Sequence, residues 1–116
     1  MTSALPLRLA QGEPINDYIG AIIELQPGGR GGWDTWLLLV ESLPAGAEGS
    51  PVARNLVRNV YRPDWGGQLP HGAAELAELR PMQIPEGTHP ERLRLVALVR
   101  DAAGRMRAIV RTECRP

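Results

Sequence analysis

Proline and glycine punctuate this chain at short, fairly regular intervals, and the runs left between them suit strands better than helices. Turn signals fall at 11–14, 27–32, 44–51, 63–67, 70–72, 85–90 and 102–104. A chain divided this way builds a core by stacking sheets, because each short run can bury only alternate side chains.

The runs themselves carry strand periodicity. Leu5, Leu7 and Leu9 alternate with Pro6, Arg8 and Ala10, and Ile19, Ala21, Ile23 and Leu25 share one face of 18–25. Residues 34–41 are almost continuously apolar, which predicts a central strand covered on both faces. Trp36 alternates with Leu38 and Val40 and is expected in the core. Residues 52–62 read as a strand with Val52, Leu56 and Val60 on the same face as Arg54, Arg58 and Arg62, or as a helix with an apolar stripe; the β-branched content favours the strand. Residues 73–80 form the best local helix former, too short to stand alone, and a strand is the alternative. Two alternating runs, 91–101 and 105–112, flank Gly104, where a hairpin needs positive φ. Their arginines meet on the outer face, so they are expected to be staggered or paired with carboxylates.

About seven short antiparallel strands, with at most one short helix, predict an all-β, immunoglobulin-like sandwich. The 116 residues fit one domain, 1–116, and a hydrophobic content of 43% is that of a globular chain. The single cysteine, Cys114, rules out a disulfide within the chain. Met1–Ala10 is too short and too interrupted for a secretory leader, and no run approaches a membrane span. A complete chain would therefore be cytoplasmic, and a fragment of a longer precursor would not be so confined.

Catalysis has no visible residue set. Ser3, Ser42 and Ser50 lie outside any nucleophile elbow, and His71 and His89 sit in turns without metal-ligand spacing. The stretch 29–32 is Gly-rich but lacks the Lys-Ser/Thr of a phosphate loop. The carboxylate pairs Glu75/Glu78 and Glu86/Glu91 read as solvated surface. No enzyme activity, cofactor or metal is expected.

Charge is unevenly placed although the net is zero. All thirteen basic residues are Arg; 1–53 carries −4 and 92–116 carries +5. Arg92, Arg94, Arg105, Arg107 and Arg111 make the final hairpin a candidate basic face for an anion or nucleic acid. No aromatic residue is interleaved there to stack bases, which disfavours nucleic acid. Trp33 and Trp65 start a strand and sit in a Gly-rich turn, where a Trp either folds back over the sandwich or anchors a partner.

The segments 34–40, 54–58 leading to 64–67, 93–101 and 104–108 occur in the order found in a bacterial secreted family catalogued as domain of unknown function 1223, and the chain resembles the C-terminal half of those proteins. The resemblance implies a β-sandwich that accompanies a thioredoxin-like domain in the cell envelope, periplasmic or secreted. The thioredoxin-like half and its Cys-containing motif are not in these residues, so no redox activity is implied. The expectation is a non-catalytic accessory or interaction module that packs on a companion domain or protein partner. Arg54, Asn55, Arg58 and Trp65, a polar-apolar mix beside a Gly-rich turn, are its candidate contact residues.

Overall fold

Along Tyr18–Leu25 the odd-numbered residues are buried and the even-numbered ones are not, the period of a strand with one face on a core. Leu93–Arg100 repeats the pattern without a break. The computed structural model describes residues 7–25, 33–63, 76–101 and 103–113. These form seven strands: β1 (Leu7–Gln11), β2 (Tyr18–Leu25), β3 (Asp34–Leu43), β4 (Arg54–Tyr61), β5 (Leu76–Gln83), β6 (Leu93–Arg100) and β7 (Met106–Arg111). Single 3-10 turns at Ala47–Gly49 and Pro90–Arg92 are the only helical turns among the described residues.

All pairings are antiparallel, in a three-stranded sheet β1-β2-β5 and a four-stranded sheet β4-β3-β6-β7. In immunoglobulin lettering these are A-B-E and C′-C-F-G, so the all-β immunoglobulin-like sandwich expected from the turn spacing is the fold. The core lies between the sheets. Ile19, Ile23, Leu25, Leu37, Leu39, Leu93, Leu95 and Val99 are essentially sealed from water there. Each such side chain contributes about 1.5–3 kcal/mol by its burial.

Three local features position the rest. The β1–β2 reversal lies at Asn16–Asp17, both with positive φ, and not at Gln11–Pro14 as the Gly-Pro signal suggested. Asn and Asp tolerate the left-handed region that a two-residue hairpin needs. Gly104, with φ of +83°, closes the β6–β7 hairpin as expected.

β5 is a strand despite its helix-forming sequence. Its pairing with β2 overrides the propensity, and Pro81 is tolerated because β5 is a sheet edge. β4 is also a strand, but its register slips: Asn59 opposes Leu39 and Val57 opposes Val40, leaving Arg58 as a bulge. Arg54, Leu56 and Arg58 therefore face inward, Asn59 and Tyr61 continue that face, and Val60 and Arg62 turn outward. The shared face expected for Val52, Leu56, Val60 and the three arginines is broken there.

The turns at 27–32, 64–67 and 70–72, the start of the first strand at Leu5 and Pro6, and Trp65, His71 and Cys114 lie outside the described residues.

Candidate functional site

The parity of β3 decides which of its residues meet the core. Thr35, Leu37, Leu39, Glu41 and Leu43 point inward. Glu41 is thus an acid on an apolar face, and it is fully buried. An ionised carboxylate survives such a place only if donors replace its water. Four do. Arg58 reaches Oε1 through Nε at 2.7 Å and Nη2 at 2.5 Å. His89 reaches Oε2 through Nδ1 at 2.7 Å and its backbone N–H at 3.2 Å.

Burial pushes the Glu41 carboxyl up, but the bonds from His89 and Arg58 outweigh it and hold the group below its ordinary 4.5. A carboxylate only accepts, so Nδ1 of His89 carries the proton of that bond. His89 lies in the turn before β6, its ring 46% exposed while one nitrogen is committed to the interior. The three residues tie β3, β4 and the crossing from β5 to β6 together.

The same seam continues along the β4–β5 side of the sandwich. Tyr61 donates to Glu78 at 2.6 Å, and the Arg80 guanidinium lies 4.4 Å over the Tyr61 ring. Asn59 donates to the Gln83 carbonyl at 3.0 Å. Glu78, expected on the solvated surface, faces this seam.

The opposite face of the four-stranded sheet is a different chemical surface. The pairing aligns side chains in rows across it. Trp36, Leu98 and Ile109 form one row; Val60, Leu38, Val96 and Arg111 the next; Val57, Val40 and Arg94 a third. This corrects the placement of Trp36, which shares a face with Leu38 and Val40 as expected, but the outer face. A continuous apolar run carries no parity, so either set could have been the core.

Ile109 is 63% exposed, Val57 54%, Met106 48% and Val60 44%. Trp36, Leu98, Arg100 and Met106 line a shallow pocket of about 320 Å³. Charged groups bound the apolar rows. At one end Asp34 pairs with Arg62 and Arg100, and Arg62 lies 4.1 Å over the Trp36 ring. At the other end Arg94 donates to Ser42 through Nε at 3.1 Å and Nη2 at 2.5 Å, and Ser42 donates to Asn55. Bonds from Arg100 and then Arg62 hold the Asp34 carboxyl below 3.8.

The four contact residues expected from the sequence are not brought together on one face. Arg58 is turned inward to Glu41. Arg54 donates to the Ala47 carbonyl at 3.1 Å from the inward side, and Asn55 sits on the outer face. Trp65 lies outside the described residues.

The five hairpin arginines are spread as well. Arg92 and Arg94 lie at one end of β6 and Arg105 and Arg107 near the other, where Arg107 pairs with Asp101 at 3.4 Å and stands 5.8 Å from the Trp33 ring centre. Arg111 is mid-face, opposite Val96. Trp33 packs partly against the core, the folded-back alternative. Pairing with Asp34 and Asp101 and a register shift at Val99/Arg100 keep the arginines apart, as the like-charge argument expected.

Sequence reasoning passed over Glu41. Its signal was there: an acid at odd parity inside an apolar run, in phase with Leu37, Leu39 and Leu43. Among the described residues, no group of three or more His, Cys, Asp or Glu is placed to hold a metal ion. No helix among them is long and apolar enough to cross a membrane. Comparisons with protein-family models, with curated proteins and with solved structures give no match.

Proposed function

We propose that this domain is a non-catalytic interaction module that docks a protein partner on the outer face of β4-β3-β6-β7. One observation carries the reading: β3 has the composition of a strand covered on both sides, and on its outer side the described residues bury Val40 but leave Trp36 and Leu38 partly exposed. Antiparallel strands with one solvated face normally alternate apolar with polar. Here the outward positions are Trp36, Leu38 and Val40, flanked by Val60, Val96 and Leu98 on the neighbouring strands.

An apolar centre with a charged and polar rim is the anatomy of a docking surface. Trp and Arg, the residue types that concentrate binding energy, both line its pocket. The resemblance of 34–40 and the final hairpin to the secreted family supports a companion domain in the cell envelope.

Photo-crosslinking in cells tests the reading. A photoreactive residue at Ile109 is expected to give a defined adduct that Trp36→Ala abolishes. The same residue at Leu79, exposed on the outer face of the other sheet, is expected to give none. Equal adducts from both positions, or none from Ile109, would overturn it.

A further inference from the structure

The charges around the apolar rows are mostly of one sign, four arginines against one carboxylate, and that narrows the partner. Arg62, Arg94, Arg100 and Arg111 all lie on this face by register, and Asp34 is the one carboxylate that the four described strands place there. Glu113 follows two residues after β7. Asp34 is shared by two arginines at one end. At the other end Arg94 has a serine hydroxyl and no carboxylate, and Arg111, mid-face opposite Val96, has no partner, both among the described residues. The face therefore presents an apolar centre between two cationic ends in a chain whose net charge is zero.

Resting on the docking reading above, we propose that the partner is a protein segment with apolar side chains at its centre and carboxylates at both ends. Arg94 and Arg100 are six residues apart on β6, so the carboxylates must lie about 20 Å apart in an extended segment. A second copy of this chain does not satisfy this. Two such faces brought together set cationic ends against cationic ends, which is unfavourable across an interface.

An anionic membrane shares the charge, but a bilayer is entered by protruding side chains. Here the central residues Trp36 and Leu98 are only partly exposed. Arginine suits the task because its planar fork donates two parallel N–H bonds to a carboxylate.

Two short peptides test the inference, one with central valines flanked on both sides by glutamates, the other flanked by lysines. Amide shifts of the isotope-labelled chain report binding. The glutamate peptide is expected to bind at least about tenfold tighter, to perturb β3, β6 and β7, and to lose most of that advantage in R94Q/R111Q or at high salt. Equal binding of the two peptides on this face would overturn the acidic partner and leave the docking reading standing. Failure of the glutamate peptide to bind would overturn the inference, while the crosslinking from Ile109 judges the docking reading independently. Phosphatidylglycerol vesicles that shift the same amides would overturn it in favour of a lipid surface.

Discussion

The carboxylate of Glu41, fully buried on β3, is gripped by the guanidinium of Arg58 from the adjacent strand at the residue where β4 bulges. Neither charge is comfortable alone at that depth, and this sets how substitutions there behave. Glu41→Ala strands Arg58 beside an apolar core and is expected to cost about 3 kcal/mol in urea unfolding. The joint change E41L/R58L removes both charges and is expected to cost far less than the two single losses added. A double variant as unstable as that sum would show that packing, and not charge, is what the pair supplies.

Acid is expected to weaken the fold through the same residue. The Glu41 carboxyl lies below its ordinary 4.5 in the folded protein, so its contribution is fully present above that value and fades as pH drops through the folded one. Asp34 and Asp101 are held below 3.8, the first by Arg100 and Arg62, the second by the Arg105 backbone N–H despite some burial, and they add a further loss at lower pH. Urea midpoints measured from neutral to about pH 3 check this. E41Q is expected to be less stable at neutral pH and to have a shallower decline below 4.5.

Tyr61→Phe deletes the hydroxyl that donates to Glu78 at 2.6 Å. The other Glu78 oxygen is buried and has no hydrogen-bond partner, so the acid loses the donor that this seam provides. A destabilisation of about 1–2 kcal/mol is expected by thermal or urea unfolding. No measurable change would mean that the β4–β5 side opens freely to water.

Two glycines separate backbone cost from steric cost. A methyl group at Gly104 or at Gly20 meets nothing within 4 Å. Gly104 has φ of +83°, while Gly20 is in ordinary strand conformation. Gly104→Ala is therefore expected to cost about 1 kcal/mol, and Gly20→Ala to be neutral or slightly stabilising. Equal effects would show that the hairpin relaxes to another turn.

Core and outer-face residues of similar hydrophobicity are expected to differ sharply. Ile23, sealed between the sheets, should lose about 2–5 kcal/mol as Ala. Ile109→Ser, on the outer face, should stay within about 0.5 kcal/mol. A large loss at Ile109 would mean that the outer face stabilises the domain itself.

The elements legible in the sequence are those whose faces differ. β2 and β6 could be read because each keeps one parity wholly apolar, Ile19 to Leu25 and Leu93 to Val99, while the other is mixed, and the final hairpin because Gly104 marks its turn. β3 was legible as a strand but not in its orientation, since Trp36 and Leu37 are equally apolar and only the neighbouring strands decide which is buried. β5 was ambiguous because Glu78 and Arg80 occupy inward positions beside the buried Met82 and interrupt its apolar stripe.

Of the Glu41 site only the inward parity of the acid was legible. Its donors come from 17 and 48 positions away, and no local pattern signals so distant a meeting. The outer docking face was legible only in part. Its apolar excess was visible in the run at 34–41, but its arginines gather from three strands.

The bulge at Arg58 makes the length of β4 a heritable instruction separate from its composition. Upstream of it, inward and outward positions follow one count; downstream they follow the opposite one. Deleting that single residue would leave Asn59 and Tyr61 inward and Val60 and Arg62 outward in an unbroken alternation, but it would remove the guanidinium that holds the buried Glu41. The extra residue is thus dispensable to the seam and the surface and indispensable to the buried acid, so a lineage that lost it would have to replace Glu41 as well.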